Sequence, residues 1–140
     1  MIQLKKKIGL FLVLSMSASI TVAATCSKTM NNNVVNDDLH IPANASCVLN
    51  GSVINGDIKA AAGSSLTLNS ATVNGEIETK KAKNVKLNKS TVQGDVELEH
   101  TSTSIVIDKS VINGDLTCSG ALASKGGMNV VNGDIKGKCR

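Results

Sequence analysis

The same short phrase returns along this chain at a nearly constant spacing. It consists of Asn or Gln, then Gly, then an acid, then a branched aliphatic residue. The glycines of its five copies are 19, 19, 20 and 19 residues apart, at Gly56, Gly75, Gly94, Gly114 and Gly133. Counting back another 19 residues from Gly56 reaches Asp37, in a degenerate sixth copy. Self-similarity at a period near 20 residues is typical of a stacked-repeat protein.

Apolar residues occupy fixed positions within each repeat. The residue two places after the glycine is always aliphatic, and three further apolar columns follow it. Polar residues alternate with these positions, as in strands that have one buried face. The predicted core columns are Leu39, Ile58, Ile77, Val96, Leu116 and Ile135; Cys47, Leu66, Val85 and Ile105; Leu49, Leu68, Leu87 and Ile107; and Ile54, Val73, Val92, Ile112 and Val131.

Turn residues divide each repeat into three short strands. Asn-Gly is a strong turn signal, because glycine adopts positive φ at no steric cost. A second corner column contains Asn50, Asn69, Asn88 and Asp108. The third corner varies and holds the extra residue of the 20-residue repeat. A sandwich of hairpins is the alternative fold, but it does not require a constant period.

Three strands and three corners per repeat predict an all-β, single-domain, triangular parallel β-helix. It should contain about six right-handed rungs of 19–20 residues, with successive rungs about 4.8 Å apart. About twenty buried aliphatic side chains, at ~1.5–3 kcal/mol each, would offset the cost of ordering so small a chain.

The first 24 residues have the composition of an export signal. Lys5, Lys6 and Lys7 precede an apolar run over residues 8–20, and small residues stand before Thr25, where a signal peptidase would cut. The run is shorter than the roughly 20 residues of a membrane-spanning helix. We therefore predict a signal peptide over residues 1–24 and export to the periplasm or the medium. Lipid anchoring at Cys26 is the weaker alternative, because the residues before it fit a lipoprotein signal poorly.

Composition argues against a nucleic-acid partner. Without the three leader lysines, 12 basic residues face 11 acids, for a net charge of +1. The formal +4 of the whole chain therefore arises mainly from the leader. The only Phe is Phe11, also in the leader, and the chain has no Trp or Tyr. A mature domain without aromatic rings cannot stack on bases or sugars.

All four cysteines follow the leader, at positions 26, 47, 118 and 139. An even number in an exported chain indicates disulfides rather than a metal or redox site. Of the three possible connectivities, the spacing of 21 residues favours Cys26–Cys47 and Cys118–Cys139, each about one repeat apart. The β-helix domain, residues 25–140, is then predicted to have an N-terminal cap over 25–36, regular rungs over 37–117, and irregular last rungs with a C-terminal cap over 118–140.

The rungs resemble those of small exported bacterial β-helix proteins with Cys-flanked ends. In each rung a branched residue and a variable residue precede Gly, an acid and another branched residue. The rungs are more distantly similar to those of bactofilins, cytoskeletal β-helices that polymerise end to end. The resemblance covers residues 37–135. An export signal and capped ends distinguish this chain from bactofilins, so we expect a monomer or weak oligomer rather than an end-to-end polymer.

Two surface columns are candidates for function. The acids that follow the repeat glycines would stack about 5 Å apart, and hard cations prefer several carboxylate oxygens. Candidate calcium ligands in this column are Asp57, Glu76, Asp95 and Asp115. We favour a structural role, in which each acid accepts turn amide hydrogens or points to water beside Lys59 and Lys136, because the spacing of calcium-binding repeats is absent. The second column, a β-branched stripe that could dock a partner, contains Val53, Thr72, Thr91, Val111 and Val130.

No catalytic arrangement is indicated by the sequence. The two histidines, His40 and His100, fall about three rungs apart, and the only Arg is the terminal Arg140. We therefore predict a non-catalytic exported structural or adhesion-type protein of a bacterial envelope, with no cofactor. Its partner would be another envelope protein or a surface polymer. The alternative is a calcium-dependent binding module that uses the acidic column.

Overall fold

The computed structural model describes residues 23–139, which form eighteen β-strands. The predicted signal peptide lies outside these residues, except for Ala23 and Ala24. Residues 23–139 contain no helix that could span a membrane. In chain order the strands are β1 Ala24–Thr25, β2 Thr29–Asn31, β3 Val34–Val35, β4 Leu39–Ile41, β5 Ser46–Asn50, β6 Val53–Ile54, β7 Ile58–Ala60, β8 Ser65–Asn69, β9 Thr72–Val73, β10 Ile77–Lys80, β11 Asn84–Asn88, β12 Thr91–Val92, β13 Val96–Glu99, β14 Ser104–Asp108, β15 Val111–Ile112, β16 Leu116–Ser119, β17 Val130–Val131 and β18 Ile135–Gly137.

The strands stack into three sheets around one core. Sheet A has the order β1-β4-β7-β10-β13-β16-β18, sheet B β2-β5-β8-β11-β14, and sheet C β3-β6-β9-β12-β15-β17. Neighbouring strands are parallel and equivalent repeat positions are paired, as in Ile58, Ile77 and Val96. The chain is therefore a three-sided parallel β-solenoid of six coils and the start of a seventh. This architecture confirms the predicted fold class.

The segment predicted as an N-terminal cap forms a complete first coil. Its strands β1, β2 and β3 pair in parallel with β4, β5 and β6 of the next coil. The Cys26 amide donates to the His40 carbonyl at 2.9 Å, which continues the same ladder. The first rung is thus covered by a further rung in register, and not by a separate lid.

The extra residue of the longer repeat lies at the third corner, as predicted. Three residues, 81–83, connect β10 to β11, whereas four residues, 100–103, connect β13 to β14. Pairing resumes directly after this turn, with Ser104 opposite Asn84. The turn absorbs the insertion, so the core columns of sheet B keep their register.

The core is a stack of apolar side chains in which the predicted columns are buried through the middle coils. Ile77 and Val92 are fully buried, and Cys47 faces the core in line with Leu66. One further inward column was absent from the predicted set. It lies four residues after the repeat glycine and contains Ile41, Ala60, Thr79, Leu98 and Cys118.

Ile135 corrects the predicted core at the C-terminal end. It pairs with Leu116, as its column requires, yet half of its surface is exposed (50%). Within residues 23–139, no further coil lies over this side chain. Position within the column therefore determines which way the side chain points, and the stack above it determines whether it is buried.

The repeat glycines are required by close stacking and not by positive φ, which corrects the expected reason for their presence. None of them has a positive φ within the described residues. A Cβ placed on Gly94 would lie 2.7 Å from the carbonyl oxygen of Gly75, one coil before. Backbone atoms cannot move aside as a flexible side chain can. Successive coils therefore approach each other at this corner too closely to admit a side chain.

Positive φ occurs instead at the other two corners. The second corner places one residue per coil near φ +50°, usually without glycine, at Asn32, Gly51, Ser70, Lys89, Lys109 and Met128. The third corner does the same in most coils, for example at Lys81 and His100. Non-glycine residues in this conformation carry a small cost. We infer that the ladder bonds on both sides of each turn offset that cost.

Both predicted disulfides are present, and each links neighbouring coils. Cys26 and Cys47 have Cα atoms 5.4 Å apart, and Cys118 and Cys139 have Cα atoms 5.2 Å apart. The first bridge ties the first coil to the second. The second ties sheet A of the sixth coil to the end of the described chain. Because the Cys26 sulfur is bonded to Cys47, it is not free to carry a lipid.

Substitutions in one repeat test the strand register. Ile77→Ala should destabilise the protein by ~2–5 kcal/mol, because a cavity remains in a closed core. Val92→Ala should also be clearly destabilising. Thr91 precedes Val92 and points outward, so Thr91→Ala should cost no more than about 1 kcal/mol. Urea unfolding monitored by circular dichroism measures all three. A register shifted by one residue would make Thr91→Ala the most damaging.

A pair of glycine substitutions tests the close approach of the coils. Gly94→Ala should cost more than about 1 kcal/mol, because its Cβ would overlap backbone atoms of the previous coil. Gly127 has no atom within 4 Å of the corresponding position, so Gly127→Ala should stay within ~0.5 kcal/mol of the native protein. Thermal unfolding under identical conditions compares the two. Equal stability of both variants would rule out steric stacking as the reason for the repeat glycine.

Candidate functional site

The acidic column forms a ladder of carboxylates bonded to backbone amides. The amide of Asp57 donates to Oδ1 of Asp38 at 2.9 Å, and the amide of Glu76 donates to Oδ1 of Asp57 at 3.0 Å. Farther along, the amides of Asp115 and Asp134 donate to Oδ1 of Asp95 and Asp115 at 2.8 and 2.9 Å. Each of these carboxylates therefore accepts a hydrogen bond from a turn amide of the next coil. This is the role that the sequence pattern favoured for the column.

Glu76 differs from its neighbours in the column. Partial loss of hydration raises the pKa of its carboxyl, and the charges of Asp57, Glu97, Asp95 and Glu78 raise it further. Its longer side chain replaces the Asp found elsewhere in the column, and it accepts no hydrogen bond from the amide of Asp95. Several acids therefore lie close together in the middle of sheet A.

Lysines compensate part of this negative charge. Lys80 contacts Glu78 at 2.8 Å, and Lys136 contacts Asp115 at 2.8 Å. Hydrogen bonds from Lys136 and from the Asp134 amide lower the pKa of the Asp115 carboxyl. A lowered carboxyl pKa favours the folded state above the unfolded pKa, so this contribution is lost as the pH falls toward acid. Both pairs are open to solvent and contribute little at physiological salt.

The candidate calcium ligands are stacked but do not converge. Within residues 23–139, no group of three or more His, Cys, Asp or Glu side chains has an arrangement that could hold a metal ion. Asp57, Asp95 and Asp115 each direct one oxygen toward an amide of the next coil. Parallel stacking separates equivalent carboxylates by one coil, whereas a calcium site needs several oxygens around one point.

Other polar ladders follow the remaining corners. Asn side chains before the repeat glycine bond to one another from coil to coil, as from Asn74 Nδ2 to Asn55 Oδ1 at 2.7 Å. At the second corner Asn69 Nδ2 donates to Asn50 Oδ1 at 2.9 Å. Ser90 is buried there, and its hydroxyl accepts from the Ala71 amide at 3.2 Å. The polar residues of the repeat therefore stabilise the stack.

The β-branched stripe lies on the outer face of sheet C, as the alternation predicts. Its members pair in register from Val53 to Thr72, Thr91, Val111 and Val130. The four earlier members are half-buried, whereas Val130 is 51% exposed. The stripe also includes Val34, which is 63% exposed and pairs with Val53. Val34 could have been assigned to the stripe from the sequence, because it lies 19 residues before Val53.

The histidines are separated, as expected. His40 is exposed on β4 in the second coil, and His100 occupies the third corner of the fifth coil. His40 borders a shallow surface groove of about 340 Å³ together with Lys59, Glu78 and Lys80.

The sequence marks one basic corner, at Lys80, Lys81, Lys83, Lys86 and Lys89, but the separation of acids and lysines onto different sides is a property that the sequence analysis missed. Ten of the eleven acids lie in sheet A or in the turns directly before its strands, and Asp108 is the exception. Sheet B and its flanking turns carry seven lysines instead: Lys28, Lys81, Lys83, Lys86, Lys89, Lys109 and Lys125. Because acids and basic residues are nearly equal in number after the three leader lysines, the net charge does not reveal these two sides. Counting acids and lysines by repeat position would have revealed them.

The fold and these ladders define the class of protein, a disulfide-bridged parallel β-solenoid. No protein-family model matches the sequence, and none of the curated proteins or solved structures matches it either.

Two substitutions of one acid separate the turn-bonding role from a metal-binding role. Asp95→Asn keeps an oxygen acceptor for the Asp115 amide, so stability should stay within ~0.5 kcal/mol. Asp95→Ala removes the acceptor and should cost about 0.5–1.5 kcal/mol. Calorimetry should show no calcium-dependent change in the Tm of either variant or of the native protein. An EDTA-reversible rise in Tm that Asp95→Asn abolishes would instead assign the column to calcium.

Proposed function

We propose that this protein is a non-catalytic structural or adhesion-type component of a bacterial envelope, acting after export as a rigid module. The observation that supports this proposal best is that a disulfide fastens each end of the solenoid. Cys26–Cys47 fastens the first coil to the second, and Cys118–Cys139 fastens the last part of the chain to the sixth coil. Disulfides persist in oxidising compartments outside the cytoplasm.

The internal structure supports a mechanical role. A buried aliphatic column runs through all three sheets, and every coil adds parallel ladder bonds to the next. Asn, Asp and Ser side chains at the corners bond from one coil to another. Each bridge closes a loop of about 20 residues, which contributes roughly 3 kcal/mol by restricting the unfolded chain. Such a stack resists local opening and presents fixed side chains on three flat faces.

Export is tested with the full chain expressed from its own leader in a bacterial host. The processed protein should begin at Thr25 and carry no free thiol, as measured by intact mass before and after alkylation. It should appear in the osmotic-shock or envelope fraction. A variant without residues 1–24 is the control, and it should remain in the cytoplasm with thiols that react. A full-length chain retained in the cytoplasm would contradict the proposal.

The non-catalytic role is tested by complementation. Cells that lack the protein should become more sensitive to detergent or osmotic stress, and the native chain should restore them. A triple variant, with Asp57→Asn, Asp95→Asn and Asp115→Asn combined, keeps the acceptors of the turn amides but removes three charges. It should restore the stress resistance of the cells as well as the native chain does. Complete loss of rescue by a variant that still folds would favour the calcium-dependent binding module or an enzyme.

A further inference from the structure

One side of the solenoid is basic and lacks compensating acids. We define the basic side as sheet B with its two flanking turns, which carry Lys28, Lys81, Lys83, Lys86, Lys89, Lys109 and Lys125. All seven lysines are exposed. Both ion pairs found within residues 23–139 involve lysines near sheet A instead. Asp108 is the one acid here, and its carboxylate accepts the Gly127 amide at 3.1 Å.

Six of the seven lysines of the basic side are spread in two dimensions over the fourth, fifth and sixth coils, and Lys28 lies apart from them in the first coil. Lys86 lies on the outer face of β11, opposite Val106, and Val106 is bridged in turn to Lys125. Lys89 and Lys109 follow each other at the second corner, where their amides donate to carbonyls of the next coil at 3.0 and 2.8 Å. Lys81 and Lys83 lie in the third-corner turn, directly before β11. The charges therefore cover an area of the face and do not follow a single column.

An exposed apolar end adjoins this charged area. Met128 takes the position after Lys109 in the corner column, with φ 56° and 76% of its surface exposed. Val130 is 51% exposed two residues later. Met128 also borders a groove of about 380 Å³ at the C-terminal end of the stack, together with Val131 and Ile135. Lysines beside exposed apolar side chains form an amphipathic surface.

We propose that the basic side docks on an anionic lipid bilayer, with its lysines against the headgroups and Met128 entering the headgroup–acyl boundary. The proposal rests on the proposed export and names the envelope component that the module contacts. A bilayer is a broad planar surface, so lysines on several coils of the basic side can reach it together. A thin anionic polymer would need only one column of lysines, and it would provide no apolar region for the Met128 side chain.

The attraction should depend on salt and on lipid charge. Juxtamembrane lysines are drawn to anionic headgroups within a Debye length of the surface, and that length is about 10 Å at 0.1 M salt. The acidic side, sheet A, is a different face of the three-sided stack and would be turned away from the bilayer. The charge asymmetry thus favours one orientation of the solenoid on the membrane.

The test is sedimentation with vesicles, using the exported, oxidised protein. One set of vesicles is pure phosphatidylcholine and the other is a two-to-one mixture of phosphatidylcholine and phosphatidylglycerol. We expect about tenfold tighter binding to the anionic vesicles at low salt, and loss of most of that difference near 0.5 M salt. Equal binding to both compositions, or no binding to either, would overturn the proposal. Neither result would affect the export experiment.

Matched triple variants separate the basic side from net charge. The first triple variant removes three lysines of the basic side through K86T, K89N and K109N. The replacements are residue types that already occur at equivalent positions of other coils: Thr67 for Lys86, and Asn32 for Lys89 and Lys109. The second triple variant removes three lysines of sheet A through K59T, K80S and K136T. Its replacements also occur at equivalent positions: Thr117 for Lys59 and Lys136, and Ser119 for Lys80. The first triple should weaken vesicle binding about tenfold, and the second should leave it within about twofold. Equal effects of both would overturn the proposal.

A final variant distinguishes a bilayer from a soluble polyanion. Met128→Asn keeps a residue that tolerates positive φ and removes the apolar side chain. It should weaken vesicle binding about threefold or more while leaving binding to dextran sulfate unchanged. Unchanged vesicle binding, combined with tight binding to dextran sulfate, would assign the basic side to an anionic polymer and overturn the bilayer proposal. Thermal unfolding of each variant verifies that the fold is intact.

Discussion

The parallel hydrogen-bond ladder between successive coils is the interaction on which everything else in this structure depends. It requires equivalent residues of neighbouring repeats to lie directly over one another, with no room for a side chain between the backbones beside Gly75 and Gly94. Identical stacking imposes identical spacing, so the repeat length is almost constant. The single extra residue is accepted only at the third corner, where a turn can lengthen without moving a strand.

Stacking also decides the chemistry of the polar residues. A carboxylate in such a column meets an amide of the next coil and a second carboxylate one coil away. Asp95 therefore bonds the Asp115 amide, while Glu76, which makes no such bond, has a raised pKa among its acidic neighbours. The arrangement stabilises turns efficiently. It disperses the oxygens along a line, which is unfavourable for surrounding a single cation.

The same geometry converts small biases in composition into faces with distinct properties. A residue type repeated every 19 positions becomes a column, and adjacent columns become a side of the prism. Acids accumulate on sheet A and lysines on sheet B, although residues 23–139 carry nearly equal numbers of the two. A solenoid of this kind has a charged orientation without any pocket, and the exposed Met128 lies at one end of its basic side.

The sequence by itself determined the fold class, the register and the disulfide pairing. Period and alternation are local patterns, and a parallel stack preserves them, so Ile77 is buried and Thr91 points outward as expected. Only the tertiary structure decided the properties that depend on the number of coils on either side and on the separation between backbones. Ile135 is exposed because the stack ends, and Gly94 is glycine because another coil lies against it. Both are consequences of contacts between coils, which no single repeat contains.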